Sequence, residues 1–138
     1  MGRIVALDYG SKRVGIAITD PLKIIATPLE TVQTKEIINF LKGYDEKEEI
    51  EEFVVGFPYD LKGNPTNATP LVKDFVIRLQ RYFPGKQISL EDEKYTSKIA
   101  IAALVAGGMK KKDRRKKENI DKISATIILQ SYLEKRKR

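Results

Sequence analysis

The sequence predicts an α/β domain on a five-stranded mixed sheet, in the order β-β-β-α-β-α-β-α-α. Three observations carry that expectation. Three short apolar runs near the start are joined by tight turns, which makes an antiparallel meander. Two later apolar runs are each reached through a helical crossover, the connection that sets strands parallel. The 138 residues are 41% apolar and 33% charged, and the apolar ones fall in periodic blocks, as a packed core requires and a disordered chain does not. With no internal repeat and no linker, residues 1–138 are expected to form a single domain.

Each element has its own reason. Ile4 to Leu7 is an apolar run ending at Asp8, and Tyr9 to Arg13 contains the turn residue Gly10. Val14 to Thr19 is the second strand, and Asp20-Pro21-Leu22-Lys23 turns the chain into a third around Ile24 to Thr27. Thr34 to Tyr44 places Ile37, Ile38 and Leu41 at helical spacing, with Thr34 as the expected N-cap. Phe53 to Gly56 is the fourth strand, followed by a Pro/Gly loop over 57–65. Val72, Phe75, Val76, Leu79 and Tyr82 mark a helix that stops at Pro84-Gly85. Ile88 to Leu90 is the fifth strand and runs into Glu91-Asp92-Glu93. Ser97 to Ala106 is an Ala-rich helix closed by Gly107-Gly108. Ile120 to Leu133 is a last amphipathic helix, with Ile123, Ile127, Leu129 and Tyr132 or their neighbours toward the core.

Composition narrows the chemistry. Without Cys or His, thiolate nucleophiles, cysteine or imidazole metal sites and imidazole general bases are excluded. Carboxylates, hydroxyls, Lys, Tyr and hard metal ions held by oxygen remain. The first residues reach an acid too early for a signal peptide, and no apolar run approaches the roughly 20 residues of a membrane span. A soluble cytoplasmic protein is expected. Net charge is +7, but its placement is uneven: seven bases and one acid crowd residues 110–117, four bases end the chain, and the remainder is net −3. Lys110, Lys111, Lys112, Arg114, Arg115, Lys116 and Lys117 are therefore candidates for contact with a phosphate backbone, together with Lys12 and Arg13 of the first turn.

In parallel sheets, function gathers at the carboxyl ends of the strands. Asp8 ends the first strand, Glu91-Asp92-Glu93 ends the fifth, and Asp121 lies in the first turn of the final helix. Singly, these acids read as an Asx turn, a solvated strand end and a complement to the helix dipole. Together they make a hard oxygen site for divalent metal, and paired Mg²⁺ ions cleave phosphodiesters without histidine or cysteine.

Asp8-Tyr9-Gly10-Ser11-Lys12-Arg13-Val14-Gly15 resembles the opening motif of the YqgF family of RNase H-like nucleases, also called RuvC-like or RuvX proteins. Val54-Val55-Gly56-Phe57-Pro58 followed by Gly63 resembles that family's fourth-strand loop. Asp92-Glu93-Lys94-Tyr95-Thr96-Ser97 resembles its Asp-Glu-Arg-x-Thr/Ser-Thr element, with Lys94 where the family usually has Arg. Ile120-Asp121 through Ala125, Ile128, Leu129 and Tyr132-Leu133 resembles its final helix. The resemblance implies an RNase H-like fold and a Mg²⁺- or Mn²⁺-dependent nuclease with Asp8, Glu93 and Asp121 as metal-binding, catalytic acids. Asp92 is the substitute for Glu93: the longer Glu arm suits a metal reached from a strand end, whereas Asp is the better local cap. The implied substrate is the 5′ end of precursor 16S ribosomal RNA, with branched DNA at a Holliday junction as the alternative. Two other classes are a non-catalytic RNA-binding assembly factor, acting through the basic blocks, and an actin-like ATPase suggested by the Asp-x-Gly-x-Lys turn. The second would need two such domains around its nucleotide.

Overall fold

The computed structural model describes residues 2–57, 69–92 and 117–136, with side chains from 120 onward in the last segment. Its strands are β1 (Arg3–Tyr9), β2 (Arg13–Thr19), β3 (Ala26–Gln33), β4 (Ile50–Phe57) and β5 (Gln87–Asp92). Its helices are α1 (Ile37–Lys47), α2 (Thr69–Tyr82) and α3 (Lys117–Arg136). The sheet order is β3-β2-β1-β4-β5. The meander β1–β2–β3 is antiparallel, while β1–β4 and β4–β5 are parallel, as the helical crossovers require. The loop at 58–65, Glu93, the Ala-rich helix expected over 97–106 and the basic residues 110–116 lie outside the described residues.

The third strand starts later than expected. Ile24 and Ile25 are not in it and are 58% and 62% exposed. The cause is Asp20, whose carboxylate accepts hydrogen bonds from the amides of Leu22, Ile24 and Ile25 at 3.2, 2.8 and 2.7 Å. A side chain that holds three amides keeps the chain turning, and pairing with β2 resumes only at Ala26. These bonds hold the Asp20 carboxyl below its ordinary pKa, the Ile25 amide foremost.

Thr34 is likewise not the cap of α1. It opens a short 3₁₀ turn, Thr34–Glu36, ahead of that helix. Its hydroxyl donates to the Gly10 carbonyl at 2.6 Å and its amide to the Lys12 carbonyl at 3.0 Å. Thr34 thereby fastens the β1–β2 turn to the start of α1.

The two sheet faces are built differently. Val5, Leu7, Ile16, Phe53 and Val55 meet α1 and α2 in a core that includes Leu41, Phe75 and Leu79. Ile4, Ala6, Ala17 and Val54 meet Ala125, Ile128, Leu129 and Leu133 of α3. Ile123 and Ile127, expected toward the core, are only half-buried. The stripe of α3 that faces inward is the one containing Ser124, Ala125, Ile128 and Leu129, offset by about one residue from the expectation.

Candidate active site

Pairing register places the acids. Asp8 pairs with Gly15 of β2, and it follows the Leu7–Val55 pair, so Gly56 flanks it on β4. Ala6, Ala17 and Val54, two residues earlier on these strands, all pack under α3. Side chains alternate along a strand, so Asp8 stands on the α3 face between two residues that have no side chain.

The first glycine has a steric reason. A Cβ on Gly15 would overlap the Asp121 carbonyl and stand 3.0 Å from the Asp121 Cβ. The first turns of α3 therefore rest directly on β2. Paired residues of antiparallel strands have Cβ atoms about 5 Å apart, which brings the Asp8 and Asp121 Cβ positions within about 8 Å of each other. That separation lets two carboxylate arms converge on one hard cation. Asp121 is 7% exposed, and Arg13 Nε lies 3.4 Å from its Oδ2. A buried carboxylate beside a guanidinium has its charge balanced without losing its oxygens as ligands.

The fifth strand resolves the acidic run by face. Gly56 pairs with Glu91 and Phe57 with Asp92. Glu91 therefore shares the face of Asp8, two strand spacings or about 10 Å away. Asp92 is exposed and pairs with Phe57, whose ring lies in the α1–α2 core, so Asp92 belongs to the opposite face. Glu91 is 2% exposed and ion-paired with Lys135. Among the described residues its second oxygen has no hydrogen-bond partner. Alternation along the strand sets Glu91 and Asp92 on opposite faces, and the register shows that the face of Glu91 is that of Asp8. Among the described residues no three acids form a metal-binding group. Asp8 and Asp121 come together, and Glu93 lies outside.

A second polar cluster lies deeper on the same face. Glu52, 4% exposed, accepts hydrogen bonds from the Tyr132 hydroxyl and from Ser89 Oγ, the latter at 2.9 Å. Burial, and then the bond to Glu52, push the Tyr132 hydroxyl above its ordinary pKa. Of the predicted phosphate contacts, Lys12 is exposed in the β1–β2 turn and Arg13 is half-buried at Asp121. Lys117 begins α3.

A mixed sheet in this order, with an acid-bearing helix across the carboxyl end of its first strand, is an RNase H-like arrangement. The chain superposes on Thermus thermophilus RuvC in complex with a Holliday junction substrate with a TM-score of 0.58. Identity is 14%, and 98% of this chain and 96% of that one are covered. A second T. thermophilus RuvC structure gives 0.54 at 16% identity. The fold class is thus RuvC-like. The RuvX family, described as Holliday junction resolvase, matches residues 2–135, and the chain belongs to that family. A relative from Amoebophilus asiaticus named "Putative pre-16S rRNA nuclease" is 57% identical over 138 residues, covering 100% of this chain and 98% of the relative. One of the same name from Christiangramia forsetii is 46% identical over 133 residues, covering 96% and 98%. Among the described residues no helix is long and apolar enough to cross a membrane.

Proposed function

We propose that this protein is a divalent-metal-dependent nuclease that hydrolyses phosphodiester bonds at the 5′ end of precursor 16S rRNA in the cytoplasm. The observation that carries this reading is the approach of Asp8 and Asp121 across Gly15 at the carboxyl end of β1. The names of the relatives support the choice of RNA.

Asp8 and Asp121 would hold Mg²⁺ or Mn²⁺, whose preference is for carboxylate oxygen. Glu93 would add the third carboxylate. Held there, the ion would supply activation of a water and stabilisation of the leaving oxygen in phosphodiester hydrolysis. Arg13 offsets the negative charge at Asp121 and lies where a phosphate would enter. Lys12 and the basic residues of 110–117 would contact the phosphate backbone.

The test is cleavage by purified protein of an RNA carrying the precursor 5′ leader, beside a four-way DNA junction. Expected is Mg²⁺-dependent cutting of the RNA at a discrete position, abolished in Asp8→Asn. Preferential cutting of the junction would install the second reading, Holliday junction resolution, which the family description favours. Tight RNA binding with no metal-dependent cleavage of either substrate would leave an assembly factor and end the nuclease reading.

A further inference from the structure

On the sheet face away from Asp121, an open groove of about 630 Å³ runs between α1 and α2. Lys35 and Lys42 line one side, and Arg78, Arg81 and Tyr82 the other. The groove gathers four cations, and among the described residues no carboxylate lines it. That is not the ordinary surface of this protein, because outside residues 110–117 and 135–138 the chain is net −3.

Two of the cations are positioned without being neutralised. Lys42 Nζ sits 4.4 Å from the centre of the Tyr82 ring, and Arg78 Cζ sits 5.9 Å from that of Phe75. An aromatic face orders a cationic side chain and leaves its net charge in place, whereas a carboxylate partner would cancel it. Among the described residues, none of Lys35, Lys42, Arg78 and Arg81 forms an ion pair with an acid.

The groove adjoins the β1–β2 turn. A neighbouring cleft of about 480 Å³ shares Ser11, Thr34 and Lys35 with it and adds Lys12 and Arg13. Arg13 is the residue paired with Asp121. A belt of positive charge thus leads from Asp121 around the β1–β2 turn to the end of α2. Thr34 holds that turn in place through its bonds to Gly10 and Lys12.

We propose that the α1–α2 groove is a second phosphate-backbone site, which holds a part of the nucleic acid remote from the bond that is cut. This rests on the nuclease reading only for the statement that nucleic acid is the ligand. The Tyr82 ring in its lining is faced by Lys42, and the other groups named are cations, so the groove would read backbone and not sequence.

The experiment measures binding of fluorescent RNA by anisotropy across a salt series. It uses the full chain with Asp8→Asn as parent, so that cleavage cannot intervene. One RNA spans only the cleavage point and one is several times longer. The triple variant Lys42→Gln, Arg78→Gln, Arg81→Gln should bind the long RNA about tenfold or more weakly. Its slope of log K against log salt should be shallower by about 2, since each lost single-strand contact removes about 0.7. Short-RNA binding and the melting temperature should stay as in the parent. A two-charge control, Lys47→Gln with Lys73→Gln, on the same two helices but outside the groove, should leave the slope alone. An unchanged slope in the folded triple variant, or an equal loss in the control, overturns the groove as a site. The same loss seen with a long four-way DNA junction in place of RNA upholds the groove and moves the substrate to DNA. A parent that binds neither ligand overturns the nucleic-acid reading itself.

Discussion

The two faces of the sheet use opposite packing materials. Under α1 and α2, β1, β2 and β4 present Val5, Leu7, Ile16, Phe53 and Val55, filled in by Phe75 and Leu79. Under α3 the same strands present Ile4 and Val54 but also the small Ala6, Gly15, Ala17 and Gly56, and polar groups are buried there: Glu52, Glu91, Asp121, Ser124 and Thr126. Large apolar side chains hold a helix at a distance and leave no room for chemistry. Small residues draw α3 down until its backbone meets β2, and carboxylates from two distant segments then converge. Stability is concentrated on the first face and the candidate chemistry on the second.

That contrast can be broken from either side. The largest effect on folding is expected from Phe75→Ala, on the apolar face. Phe75 is 1% exposed and stacks on Tyr9 at 4.1 Å between ring centres. The variant should lose about 3–5 kcal/mol in denaturant unfolding, as truncated core aromatics do. Gly15→Ala probes the close approach on the other face. The new methyl overlaps the Asp121 backbone, so the variant should lose about 1–3 kcal/mol from overpacking, with metal binding weakened because α3 is displaced. Gly43→Ala is its control: nothing lies within 4 Å of the added atom, and a helix-interior Gly replaced by Ala should gain about 0.5–1 kcal/mol.

Tyr132→Phe tests the buried polar groups. Removing the hydroxyl takes a donor from Glu52 and should cost about 1–2 kcal/mol at neutral pH. The pH dependence has a definite sign. The Tyr132 hydroxyl is raised above its ordinary value of 10.0, so its contribution is constant below about pH 10. Above that, the unfolded chain gives up its proton first, and stability falls as pH rises through the raised value. Melting curves of Tyr132→Phe should lack that alkaline component.

Much of this architecture was legible, and the failures share a physical cause. The antiparallel meander and the parallel crossovers follow from short-range spacing, and so does the placement of Asp8 at a strand end and Asp121 in the first turn of a helix. The start of β3 was misread because Ile24 and Ile25 have strand-like apolarity, whereas Asp20 decides their backbone through three amide bonds. Thr34 has the composition of a cap but bonds to Gly10, 24 residues earlier. Glu91 and Asp92 fall on opposite faces by strand alternation, but which of them shares the face of Asp8 only register reveals. The α1–α2 groove was missed because its cations are scattered over residues 35–81, where no run of basic residues marks them.

The central claim is that Asp8 and Asp121 share one cation on the small-residue face. The most direct test is Mn²⁺ binding, followed by electron paramagnetic resonance in the full chain, in Asp8→Asn and in Asp121→Asn. Each substitution removes one carboxylate from the pair, so each should weaken binding at the same site by about tenfold or more, with the melting temperature retained. Mn²⁺ bound as tightly by either folded variant as by the parent would contradict the shared site.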